Sequence, residues 1–207
     1  MLIPIKAFTA AKGRLVPVLS PAERERLARW TAERVLAAAG ELPVFVACDS
    51  VDVAEWAQAH GAEVVWGEGQ GLNGAVDQAV AALAAAGHGH VTVVHSDLPR
   101  PVALSTFGVA HRITLVPDQH LDGTNVMSFP LATPVAAAYG AGSFRRHLTA
   151  ALASGISVEV VRDRFMALDI DHPADLTHPL VKDVLPAWLR TNPANPPASS
   201  PATSRAT

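Results

Sequence analysis

A single cysteine, Cys48, stands in 207 residues, which excludes an intrachain disulfide framework and suits a reducing compartment. Charge is also scarce. Lys and Arg number 16 against 19 Asp and Glu, giving a net charge of −3, and this excludes a broad electrostatic grip on nucleic acid. Any anion site must therefore be local. No apolar run reaches the roughly 18 to 20 residues that span a bilayer. The apolar residues of the N-terminus precede its lysines, the reverse of a secretory signal. We expect a cytoplasmic protein with no membrane or nucleic-acid partner. Walker A, nucleophile-elbow and GxGxxG patterns are missing, and none of the nine histidines falls in a zinc-binding spacing.

Apolar runs of strand length alternate with stretches of helical period, the pattern of an α/β fold with a mostly parallel, helix-covered sheet. The expected strands are Met1 to Ile5, Val44 to Cys48, Glu63 to Trp66 and His90 to His95, with the last as the central one. A strand pair follows around the turn at 118–123, then a strand at 156–161. Helices are expected from Pro21 to Ala39, from about Val51 to His60, from Leu72 to Ala86 and from Ser143 to Ala153. The first should start on Ser20 as N-cap, with Pro21 at the first helical position and Glu23 closing a capping box. Leu27, Trp30, Arg34, Val35 and Ala38 should fall along one side, with charges mostly elsewhere. The chain thus divides into one domain over 1–178, a C-terminal helix over 179–190 and, from Thr191, a Pro-, Ala- and Ser-rich tail. That tail has too few large apolar residues to offset its ordering entropy, so 191–207 is expected to be disordered. The apolar stretch Leu180 to Leu189 suits either packing on the domain or a homodimer contact, and the sequence chooses neither.

Candidate chemistry sits at the ends of these strands. Lys6, Lys12 and Arg14 lie on one loop after the first strand, a cation set suited to a triphosphate. Asp97 follows the central strand, where open α/β sheets bind ligands. Asp169 and Asp171 alternate on an extended segment, which predicts opposite faces, so one of them meets Asp97 across a divalent ion more easily than both. The other is free to cap the turn at His172-Pro173. Oxygen-only donors of this kind suit Mg²⁺. Gly69 to Asn73 lies between a strand and a helix, where glycine permits close backbone approach to an anion. Gly140-Ala-Gly-Ser143 opens another helix as a second small cradle of backbone N–H groups.

Taken in order, Pro4-Ile-Lys6, Ala11-Lys-Gly-Arg-Leu15, Leu19 to Arg24, Gly71-Leu-Asn73, Asp97-Leu-Pro99, Gly123-Thr-Asn125, Gly140 to Ser143 and Leu168-Asp-Ile-Asp171 resemble one family. It is the guanylyltransferases of deazaflavin coenzyme (coenzyme F-420) biosynthesis, related to molybdenum-cofactor guanylyltransferase. The resemblance runs from residue 1 to about 176. It implies a GT-A-like, Rossmann-type sheet with helices on both faces. It also implies transfer of GMP from GTP to phosphoenolpyruvate, 2-phospho-L-lactate or 3-phosphoglycerate, with phosphoenolpyruvate the expected acceptor. The product would be enolpyruvyl-diphosphoguanosine, passed to a downstream transferase. By the same resemblance Asp97, Asp169 and Asp171 would hold Mg²⁺, and Lys6, Lys12 and Arg14 would face the nucleotide's phosphates. Gly71 and Asn73 would meet GTP, and Thr124, Gly140 and Ser143 would bind the acceptor. Two segments depart from the family: Val94-His95-Ser96 replaces small residues, and Gln119 to Asp122 carries less glycine. Asp122 is expected to point outward or toward metal. Two rivals remain: a GT-A glycosyltransferase using Asp169-Ile-Asp171 as its metal motif, and a nucleotide-binding module without catalysis.

Overall fold

The computed structural model describes residues 1–190; the tail expected to be disordered, 191–207, lies outside the described residues. One sheet holds β1 (Leu2–Pro4), β2 (Phe45–Cys48), β3 (Glu63–Trp66), β4 (His90–Val94), β5 (Arg112–Pro117), β6 (Thr124–Pro130) and β7 (Ser157–Val160). Their spatial order is β3-β2-β1-β4-β6-β5-β7. β6 runs against its neighbours β4 and β5, and every other pairing is parallel. The expected mostly parallel sheet and the central place of β4 are both found.

Alternation along the strands divides the core between two faces. Ile3, Val46, Cys48 and Val94 pack with Ala32 and Val35 of α1 (Pro21–Ala38) and with Val53 and Trp56 of α2 (Val51–Ala59). Leu2, Phe45, Ala47 and Val93 pack with Val76, Val80 and Leu83 of α3 (Gly71–Ala85) and with Ala151 of α4 (Ser143–Ala153). Helices therefore cover both faces. Among the described residues no helix is long and apolar enough to cross a membrane.

The capping box on α1 is complete: the Ser20 hydroxyl accepts from the Glu23 N–H, and the Glu23 carboxylate accepts from the Ser20 N–H. The buried side of α1 is Leu27, Ala28, Thr31, Ala32 and Val35, while Trp30 and Ala38 are only half-buried. The shift from the expected stripe arises because α1 packs on two neighbours, the sheet and the C-terminal segment.

That segment corrects the expectation of one helix over 179–190. It forms two single turns, α5 (Pro179–Lys182) and α6 (Ala187–Arg190). Pro186 lies between them, and its ring removes a helical N–H and disfavours helical geometry at the preceding residue. Both turns pack on the domain: Val181, Leu185 and Leu189 are buried with Leu15, Leu19, Leu27 and Leu168, and the Arg26 guanidinium lies 4.6 Å from the Trp188 ring centre.

The sheet has a switch point. From β1 the chain order proceeds outward to β2 and β3 on one side, and on the other side it resumes at β4. Beyond the carboxyl ends of these two strands lies the crevice where open α/β sheets bind ligands. The loop of Lys6 to Arg14 leaves β1 there, and His95 to Asp97 leave β4 beside it.

Candidate active site

A cavity of about 460 Å³ opens at this switch point, and Lys6, Lys12, Arg14, His95, Asp97 and Asp171 line it. Asp97, Asp169 and Asp171 each bring a carboxylate oxygen within 4.8 Å of the others. The expectation from alternation that one of Asp169 and Asp171 meets Asp97 more easily than both is therefore corrected, and the three carboxylates named by the resemblance lie together. Residues 168–171 are not a strand, so side-chain alternation does not apply to them. Tertiary anchors set their path instead: the Asn125 amide donates to Met166 O at 2.9 Å, and Ile170 N–H donates to Asp97 O at 3.2 Å. Neither Asp caps the following turn; Asp175 does, accepting from the N–H groups of Asp171 and His172.

Electrostatics sets the three carboxylates apart. Burial pushes Asp97 up, but Lys12 and then His95 more than offset it, so its pKa falls below the ordinary value. Asp169 forms no ion pair among the described residues. Burial first, then the Asp97 and Asp171 charges, push it up to about 7. Among the described residues Asp97 Oδ1 is buried without a hydrogen-bond partner. An all-oxygen cluster holding an orphaned carboxylate oxygen fits a hard divalent ion such as Mg²⁺.

The three cations of the β1 loop have separate stations. Lys12, held in the left-handed region at φ 57°, buries its ammonium among the carboxylates. It lies 3.0 Å from Asp97 Oδ2, 2.6 Å from Ile170 O and 3.6 Å from Asp171 Oδ1. Arg14 is exposed and donates to Asp171 Oδ2 at 2.9 Å. Lys6 is exposed and has no ion pair among the described residues, so its charge is free for a ligand.

Thr124, Gly140 and Ser143 do not line this cavity. They form a second group, joined to it through aromatic rings. Tyr139 packs against His95 on one side and His147 on the other, with ring centres 4.7 and 4.8 Å away. Among the described residues His95 Nε2 and the Tyr139 hydroxyl are buried without hydrogen-bond partners. His147 Nε2 accepts the Ala138 N–H, which leaves its proton on Nδ1, pointed at Thr124 Oγ1 at 2.9 Å. Burial first, then the Arg146 charge, lower His147 to about 4. The Thr124 hydroxyl, accepting from a neutral His147, keeps its own hydrogen to donate.

Gly140 and Gly142 take φ of +112° and +71°, conformations that suit glycine and bend the chain into α4. Gly142, not Ser143, is the N-cap residue. Asp122 is exposed, yet it turns back on the cradle: its carboxylate accepts from Gly142 N–H and its carbonyl from Phe144 N–H. The amides of Gly140 and Ala141 remain without hydrogen bonds among the described residues. Arg146 grips the turn through the carbonyls of Ala138 and Ala141.

The Asn73 amide clamps the Tyr139 backbone, accepting from its N–H at 2.7 Å and donating to its carbonyl at 3.3 Å. It fastens α3 to the 139–142 turn. Gly71 opens α3 with φ +64° and lines a smaller neighbouring cavity. The sequence reading missed the His95–Tyr139–His147 stack and the anchoring role of Asn125. Only the spacing from Ser143 to His147, one helical turn on a shared face, signals part of it.

The family model described as "Guanylyl transferase CofC like" matches residues 1–183. The phosphoenolpyruvate guanylyltransferase of Chloroflexus aggregans is 32% identical over 182 residues, covering 82% of this chain and 90% of that protein. The 2-phospho-L-lactate guanylyltransferase of Methanothermobacter thermautotrophicus is 30% identical over 183 residues, covering 84% of this chain and 81% of that protein. A Desulfovibrio desulfuricans G20 structure assigned to the nucleotide-diphospho-sugar transferases shares the fold, with a TM-score of 0.73 at 16% identity over 94% of this chain and 90% of that one. With the family model spanning the folded chain from its first strand past the carboxylate cluster, this chain belongs to the CofC-like guanylyl transferase family.

Proposed function

We propose that this chain transfers a guanylyl group from GTP to the phosphate of phosphoenolpyruvate, giving enolpyruvyl-diphosphoguanosine and pyrophosphate for a downstream transferase of coenzyme F-420 assembly. The observation that carries the reading is the three-carboxylate cluster at the switch point of the sheet, two of whose members, Asp97 and Asp171, line one cavity with Lys6, Lys12 and Arg14. The phosphoenolpyruvate guanylyltransferases among its relatives support the acceptor.

An oxygen of the acceptor phosphate attacks the α-phosphorus. The new O–P bond forms as the bond to the β-phosphate oxygen breaks, and pyrophosphate leaves with the electron pair. The attacking phosphate is already ionised near neutrality, so no general base is required. What the protein must do is hold two mutually repelling anions in line and neutralise charge as it moves to the leaving group. Lys6 and Arg14 flank the phosphates, while Lys12 holds Asp97 and Asp171 in place. Thr124, with the amides of Gly140 and Ala141 and with Ser143 beside them, receives the acceptor's carboxylate and phosphate. Asp97, Asp169 and Asp171 would hold Mg²⁺, which when bound supplies charge neutralisation and orientation of the α-phosphate.

The test is pyrophosphate release from GTP and Mg²⁺ with phosphoenolpyruvate, 2-phospho-L-lactate and 3-phosphoglycerate supplied separately, the nucleotide product being weighed by mass spectrometry. Release with phosphoenolpyruvate, abolished in Asp97→Asn, is the expected result. Release with another of the three corrects the acceptor. Bound GTP with no pyrophosphate from any of them removes the reaction.

A further inference from the structure

Beside the carboxylate cavity lies a second one of about 250 Å³, which continues past Lys6 toward the end of β2. The two share Pro4, Ile5, Lys6, Ala10 and Leu72, so a ligand passing Lys6 reaches from one into the other. The second cavity differs in chemistry: small apolar side chains and glycine form its walls, Ala47 and Ala75 among them, and Gly67 and Gly71 frame its loop side. That loop is fixed, because Gln70 donates to Gln78, which in turn donates to Trp66 O. A Cβ at Gly67 would meet Ala75 and Gln78 in ordinary contact at 3.4 Å, so this side of the slot packs directly against α3.

One charged group besides Lys6 borders this slot. Asp49, directly after β2, is exposed and makes no hydrogen bond or ion pair among the described residues. A free carboxylate next to a polyanion site is unfavourable unless it answers a donor on the ligand. Among the common nucleobases, guanine offers two adjacent donors on one edge, N1–H and the N2 amino group. Adenine and cytosine place a ring acceptor beside a single amino group, and uracil flanks its one N–H with carbonyls.

We propose that this slot is the guanine pocket and that Asp49 is the residue that specifies the base, its carboxylate accepting from N1–H and N2–H. The assignment rests on the guanylyl-transfer reading, which places the triphosphate in the neighbouring cavity. It places base recognition at the end of β2, with the 67–72 stretch as a wall.

The chemistry allows a test by inversion. In Asp49→Asn the side-chain oxygen still accepts N1–H, but the amide now faces the guanine amino group donor to donor. Xanthine, with a carbonyl at C2, accepts that amide. Binding of GTP, XTP and ATP with Mg²⁺ is measured by calorimetry for wild type, Asp49→Asn and Asp49→Ala, alongside pyrophosphate release with phosphoenolpyruvate. Wild type should prefer GTP, Asp49→Asn should lose GTP affinity by about 10- to 100-fold and gain XTP, and Asp49→Ala should lose GTP without gaining XTP. Unchanged GTP affinity and unchanged preference over XTP in Asp49→Asn overturn the assignment. A binding switch without pyrophosphate release from any nucleotide upholds the base pocket and removes the transfer reaction instead.

Discussion

The ammonium of Lys12 lies 3.0 Å from Asp97 Oδ2 and 3.6 Å from Asp171 Oδ1, so one fixed cation bridges two of the three carboxylates. Its side chain is only 6% exposed, and Asp97 is 20% exposed, which makes this a largely buried pair. Removing one member of such a pair costs about 3 kcal/mol, because the remaining charge loses its partner. Lys12→Met should therefore lower the melting temperature in EDTA, and saturating Mg²⁺ should restore much of the loss. The Mg²⁺-induced rise is expected to be larger in the variant than in wild type. A variant as stable as wild type in EDTA, and indifferent to Mg²⁺, would show that Lys12 does not hold the cluster together.

Asp169, pushed up to about 7 by burial and by the neighbouring carboxylates, predicts that metal binding is linked to a proton. Its folded value lies above the ordinary carboxylate range, so the metal-free protein holds a proton there that the unfolded chain has already lost. Its contribution to stability therefore declines as pH rises from about 4 through 7. Mg²⁺ must displace that proton below pH 7, and affinity should increase with pH and level off above it. Calorimetry in buffers of different ionisation enthalpy should find close to one proton released at pH 6 and far less at pH 8. Asp169→Asn should abolish the difference. Equal proton release at both pH values would contradict the assignment.

His147 carries the opposite sign. Its folded pKa of about 4 lies below the ordinary histidine value, so its contribution to stability is full above about 6.5 and is lost as pH falls toward 4. Protonating Nε2 would also set a proton against the Ala138 N–H that it now accepts. The loss should approach about 1 kcal/mol per pH unit in that window. The difference between wild-type and His147→Asn urea midpoints, followed from pH 7 to pH 4.5, should shrink with acid. Imidazole nitrogen shifts should report a neutral Nδ1–H ring at pH 5.5; a charged ring there would refute the arrangement.

These groups show where sequence was informative. Local rules placed the Ser20–Glu23 capping box and the strand Glu63–Trp66, because each depends on neighbours in the chain. The motif residues Lys12, Asp97 and Asp171 were legible as chemistry, and the structure brings them together. Their mutual geometry was not legible. Alternation fails at Asp169 and Asp171 because Asn125 and the Asp97 carbonyl, distant in sequence, dictate that segment's path. The place of Asp49 was not legible, because it borders a cavity built from four separate stretches of chain.

Asn73 separates a base-reading role from a structural one. Both ends of its amide are bonded to the Tyr139 backbone, 66 residues away. Tyr139 in turn packs between His95, on the carboxylate cavity, and His147, which holds Thr124. Loosening the clamp should therefore disturb the acceptor side of the site. Asn73→Ala removes two hydrogen bonds worth about 1 kcal/mol each, enough to lower kcat/KM for the acceptor by about tenfold or more. The KM for GTP and the preference for GTP over ATP should stay near wild type, because Asn73 is bonded to the Tyr139 backbone and lines neither cavity. Asn73→Asp keeps the acceptor oxygen for the Tyr139 N–H but turns a donor toward its carbonyl into a charge, and should fare no better. If Asn73→Ala instead raises the KM for GTP and relaxes base choice while leaving the acceptor untouched, the clamp is incidental and Asn73 reads the nucleotide.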